Sequence, residues 1–135
     1  MTGVHVRLRV GGESYALPVE NVLEVAELSG VSAIPGAGAA VLGIRNLRGH
    51  VLPVFDLARV LEIAGGASTP RVVVAEHQGR LAGLAVAGVT DVVSLTVDAE
   101  GHEAEALSGA VLEDGLLTGI IDVERLFATL ATAAA

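Results

Sequence analysis

The stretch Gly43-Ile44-Arg45-Asn46-Leu47-Arg48-Gly49-His50-Val51-Leu52-Pro53-Val54-Phe55-Asp56-Leu57 decides how this chain is read. A short run reaches a charged turn that closes on glycine, an apolar strand containing a proline follows, and an aspartate ends it. Asp56 suits the cap of a short helix over 56–62, because its carboxylate can accept from the free amides of a first helical turn. Moved on by 66 residues, Gly43, Gly49, Asp56 and Arg59 fall on Gly109, Gly115, Asp122 and Arg125, with apolar positions matching between them. This second copy leads into a helix over 122–130 that places Val123, Leu126, Phe127 and Leu130 on one face.

Working outward, the chain reads as strands. Val4, Val6, Leu8 and Val10 alternate with His5, Arg7 and Arg9, the period of a half-buried strand. Gly11-Gly12 supplies the positive φ of a tight hairpin, and Tyr15, Leu17 and Val19 continue the alternation on the return. Residues 71–77 are strand-like, Gln78-Gly79 turns, and 81–86 returns. A shift of 67 lays Gly12, Leu17, Val19, Val22, Glu24, Val25 and Leu28 over Gly79, Leu84, Val86, Val89, Asp91, Val92 and Leu95. An internal duplication is the economical reading, the alternative being a chance match between glycine-punctuated Val/Leu strands. About five short strands in each half suggest an all-β fold of two small barrels, mainly β with short helices and a C-terminal helix. The expectation is a single domain over 1–135 with sequence halves 1–66 and 67–135, joined near 64–70. Duplicated barrels can exchange strands, so this join need not be a spatial boundary.

Composition narrows the function classes. The 135 residues are 52% hydrophobic, with a mean hydropathy of +0.64, yet no apolar run approaches the ~20 residues a spanning helix needs. The N-terminus shows no signal-peptide pattern, so a soluble protein is expected. Without cysteine there is no disulfide or thiolate chemistry, which fits a reducing cytoplasm. Net charge is −8, and every cationic side chain apart from histidine is arginine. Residues 1–80 hold seven acids and seven arginines, whereas 81–124 hold nine acids and no arginine. Such a surface repels phosphate backbones, arguing against nucleic acid and anionic membrane as partners.

The inventory of reactive groups is thin. His5, His50, His77 and His102 lack metal-ligand spacing; His5 and His77 read as solvated strand residues, and His50 as a turn residue or strand start. No serine lies in a G-x-S-x-G setting. The pairs Asp98/Glu100 and Glu103/Glu105 lack the pattern of a calcium loop, and no glycine-rich phosphate loop opens a helix. No enzyme, metal or cofactor is expected. Two charges remain inside apolar stretches, Glu24 in Val22-Leu23-Glu24-Val25 and Arg48 in the turn. An outward orientation would explain either; if partly desolvated, each needs a partner and each can be the other's.

The Asn46-Leu47-Arg48-Gly49 turn with its strand and Asp56-Leu57 resembles the signature of the CheW-like domain, the bacterial chemotaxis coupling family. Tyr15-Ala16-Leu17-Pro18-Val19, Val22-Leu23-Glu24-Val25, Ile34-Pro35-Gly36 and Gly83-Leu84-Ala85-Val86 agree, and the likeness spans about 4–127. The resemblance implies two SH3-like five-stranded barrels. It also implies a non-enzymatic adaptor linking the cytoplasmic tips of chemoreceptors to the regulatory domain of a chemotaxis histidine kinase, and so a cytoplasmic protein recruited to membrane-associated receptor arrays. Carried over by motif, Glu24 and Arg48 lie near the receptor-contacting groove, lined by Val22, Val25 and Val86. Three departures stand out: Val86-Ala87-Gly88 in the second half, a short acidic 96–106, and Gly38 in place of a common proline. The second copy also replaces Asn46, Arg48 and Pro53 with Leu112, Asp114 and Gly119. These changes leave open a specialised relative that binds one partner class only, in a non-flagellar pathway. A small-molecule-binding barrel is a third, weaker alternative.

Overall fold

The computed structural model describes residues 2–63, 69–97 and 106–134. The acidic pairs at 98–105, His102 and most of the expected join at 64–70 lie outside them. Among the described residues ten strands run in the order β1 (Thr2–Val10), β2 (Glu13–Pro18), β3 (Val22–Glu27), β4 (Val41–Leu47), β5 (His50–Asp56), β6 (Arg71–His77), β7 (Arg80–Val86), β8 (Gly88–Thr96), β9 (Leu107–Glu113) and β10 (Leu116–Ile121). Helix α1 (Leu57–Val60) follows β5, and α2 (Val123–Ala133) follows β10.

Four of the connections are two-residue hairpins with both central residues at positive φ: Gly11-Gly12, Arg48-Gly49, Gln78-Gly79 and Asp114-Gly115. Two left-handed residues give the turn the twist of the strands it joins, which explains the glycine closing each one. Val19 leaves the alternation expected of it, because the chain breaks after Pro18 into a single 3-10 turn, Val19–Asn21. Asp56 and Asp122 cap their helices as expected, accepting from the Ala58 and Arg125 amides at 3.1 Å.

The strands assemble into two five-stranded sheets, β8-β1-β2-β10-β9 and β3-β6-β7-β5-β4. Each sheet takes strands from both sequence halves. Replacing every strand of one order by its duplicate reproduces the other, down to the parallel pairings Ile120↔Ala16 and Val54↔Gly83. Even the amide that precedes each helix is held alike, Asp56 by the Ala40 carbonyl and Asp122 by that of Ala106, both at 2.8 Å.

Alternate residues of the central strands enter different apolar clusters. Val72 and Val74 face the interior of the second sheet with Leu52, Val54 and Ala85. Val73 and Ala75 face a core shared between the sheets with Leu8, Leu17, Phe55, Leu84 and the buried face of α2. The first sheet has its own interior around Ala16, Leu95 and Ile120. Burial on both faces is why 72–75 is an unbroken apolar run.

The alternation read for β1 fails at its start, since Val4 is exposed while His5 is only 6% exposed. Its Nδ1 lies 2.9 Å from the Gly3 carbonyl oxygen, which supplies the polar contact that burial requires. His77 is only partly exposed: its ring packs on Phe127 with centroids 5.6 Å apart, and the Arg80 guanidinium stands 5.6 Å above the same ring. Gly38 sits where the 34–40 loop meets the end of α2, and a Cβ there would press into the Ala133 carbonyl oxygen.

Candidate partner-binding site

The Arg48 turn is built by its own neighbours. The Asn46 side-chain oxygen accepts from the Gly49 amide at 2.9 Å, holding Arg48 in its left-handed conformation (φ 49°). Leu47 points to the interior of the second sheet. Arg48 therefore projects from the tip of the β4–β5 hairpin with a side chain 76% exposed, and its Nη1 meets Glu24 Oε2 at 2.7 Å. Glu24 is the more enclosed partner, at 26%.

The pair lies between β3 and β4, the two edges of their sheet, and Arg45 adds a second link by donating from Nη1 to the Glu27 carbonyl at 2.9 Å. Arg45 was not singled out from sequence. The free edge of β4 is also covered, because Ser32 and Ile44 exchange backbone hydrogen bonds at 2.8 and 2.9 Å. That contact leaves no room for a side chain at Gly43, whose φ of 149° also favours glycine.

The five residues expected at the groove do not share one surface. Residues paired across β3 and β6 point to the same side. Glu24 pairs with Val74 and so faces the interior side, whereas Val25 pairs with Val73 and faces the region between the sheets. A bulge between Val22 and Glu24 brings Val22 to that region too, half-buried against the shared core. Val25 is 44% exposed at its rim. Val86 is a correction: at 0% exposure it belongs to the shared core and offers nothing to a partner. The family resemblance places it at the groove, but both faces of β7 are buried from Ala82 to Val86.

Exposed aliphatic side chains mark what the sequence reading missed. Beside the expected Val25, Leu23 and Val51 are exposed on the second sheet, and Val92, Leu112, Leu116 and Leu117 on the first. Leu112 and Leu117 are direct cross-strand neighbours. Period-two patterning could not find them, because a residue beyond the end of a covering layer reads the same as one beneath it. Among the described residues no group of three or more His, Cys, Asp or Glu could hold a metal, and no helix is long and apolar enough to cross a membrane.

Comparison with known proteins places this geometry. Residues 5–131 match the family model of the CheW-like domain. The chain is 28% identical over 132 residues to the probable chemotaxis protein CheW of Rhizobium etli, covering 90% of this chain and 85% of that one. It is 32% identical over 108 residues to Protein PilI of Pseudomonas aeruginosa, covering 78% and 61%. The crystal structure of the scaffolding protein TtCheW from Thermoanaerobacter tengcongensis superposes with a TM-score of 0.81 at 27% identity, over 94% of this chain and 93% of that one.

Proposed function

The chain belongs to the CheW-like domain family, non-enzymatic scaffold proteins of chemotaxis, and from that premise we propose that it couples chemoreceptor tips to the regulatory domain of a chemotaxis histidine kinase. The observation that carries the docking site is the Arg48 guanidinium, exposed yet held in place by Glu24 at 2.7 Å. An interface of this kind gains most from a few anchored residues, and arginine is a favoured anchor. Prior pairing lowers the entropy lost when the side chain is fixed by a partner. Coupling two partners needs two surfaces, and the exposed Val92, Leu112 and Leu117 on the first sheet supply a second. Recruitment to receptor arrays follows from the same reading.

The narrower reading, a regulator that binds one partner class only, draws support from Asp114 and Leu112 standing where the first copy has Arg48 and Asn46. Purified protein used to capture receptor fragments and the kinase regulatory domain separately distinguishes them: recovery of both supports coupling, and recovery of one class alone supports the narrower role. Arg48→Ala and Glu24→Ala should each weaken receptor capture. If both leave it unchanged, the docking surface lies elsewhere.

A further inference from the structure

The duplicated sheets carry opposite chemistry at equivalent interior positions. In the second sheet one layer of the interior is Val74, Leu81, Leu52 and Leu47, all within its apolar cluster. The duplicates of these residues in the first sheet are Arg7, Ser14, Thr118 and Glu113. Ser14 and Thr118 are buried, their hydroxyl oxygens 2.9 Å apart in a hydrogen bond. Arg7 is only 13% exposed; its Nη1 lies 3.5 Å from Asp91 Oδ2 on β8 and its Nη2 3.8 Å from Glu113 Oε1 on β9. Its Nε is buried with no hydrogen-bond partner among the described residues. A cavity of about 210 Å³ opens beside Arg7, Ser14 and Asp91. An enclosed cation in place of a valine is costly unless its contacts do something the valine could not.

The edges of the two sheets suggest what that is. β8 and β9 are the outer strands of the first sheet, each hydrogen-bonded along one side only among the described residues. The equivalent edges of the second sheet, β3 and β4, are tied by two arginines, Arg48 to Glu24 and Arg45 to the Glu27 carbonyl. In the first sheet both arginines are lost, their places taken by Asp114 and Val111, while the carboxylate equivalent to Glu24 is kept as Asp91. We propose that Arg7 is the latch of the β8/β9 seam, a cation inside the barrel that grips a carboxylate on each edge strand in place of the two arginines that close the other seam from outside. The counter-charge has moved from turn to interior. The first sheet is therefore the one whose closure depends on charge, with Asp91 drawn toward Arg7 while its side chain stays 47% exposed.

Residue-resolved amide exchange on the full chain tests this. Arg7→Val should speed exchange at β8 and β9 by about three- to fivefold, the scale of partly exposed ion pairs, with β3 and β4 unchanged. Adding Glu113→Leu, which copies Leu47 of the other sheet, should recover most of the protection. Raising salt from about 0.1 M to about 1 M should loosen β8 and β9 in the wild type and leave the double variant indifferent. Unchanged protection at β8 and β9 in Arg7→Val, or equal loosening of every strand, overturns the proposal. Should Arg7→Val fail to fold, the wild-type salt series and Glu113→Gln decide it, since salt-independent exchange at this seam excludes a charge latch.

Discussion

At the scale of the residue, exposure separates charges that act on a partner from charges that act on the fold. The Glu24–Arg48 pair is short, but its arginine is largely in water, where an ion pair contributes about 0–1 kcal/mol. Arg48→Ala should therefore shift the denaturation midpoint by less than about 1 kcal/mol equivalent while weakening partner capture, a separation that thermal unfolding beside pull-down would reveal. Tyr15 is the reverse case. Burial comes first, then the hydrogen bond its hydroxyl donates to Glu13 and the carboxylate's charge, and together they push its pKa up from 10.0 to about 12. Because the folded value is raised, the stabilisation is complete below pH 10 and is lost as pH rises through about 12. Tyr15 is the one tyrosine in a chain without tryptophan, so phenolate absorbance reports its titration directly. Tyr15→Phe should flatten the alkaline loss of stability over that range.

At the scale of the element, the duplicated signature survives as a mechanical unit. Both copies keep the type I′ turn, the strand, the aspartate cap and an arginine one turn into the helix, Arg59 beside Asp56 and Arg125 beside Asp122. What α2 adds is length and a buried stripe, with Phe127 wedged between the shared core and the His77 and Arg80 side chains. Phe127→Ala should cost about 3–5 kcal/mol, measured by urea unfolding. Asp122→Ala should cost about 1 kcal/mol, the value of a lost cap, and leave partner capture intact. These two helices were legible because capping and one-sided apolar spacing are local properties. The roles of His5, His77 and Arg7 were not. Each sits on a strand face that periodicity assigns to solvent, and another part of the chain covers that face.

At the scale of the whole molecule, neither sequence half owns a sheet. The first sheet needs β1 and β2 from one half and β8, β9 and β10 from the other; the second needs β3, β4 and β5 with β6 and β7. Fragments 1–66 and 67–135 should accordingly be unfolded alone, by circular dichroism, and regain structure when mixed. A fragment that folds by itself would show that its strands can pair differently. From the sequence alone came the strands, the four glycine-closed turns, both caps, the duplication and the family likeness, because these depend on φ preferences, on side-chain alternation and on short-range hydrogen bonds. The pairing of Glu24 with Arg48 was open in the sequence and closed by the hairpin that carries one to the other. Only the tertiary structure decided that Val86 lies in the core, that Val92, Leu112 and Leu117 lie on the surface, and that Arg7 sits inside a barrel. Curling a sheet and packing it on its duplicate buries faces that each strand, read singly, leaves to water.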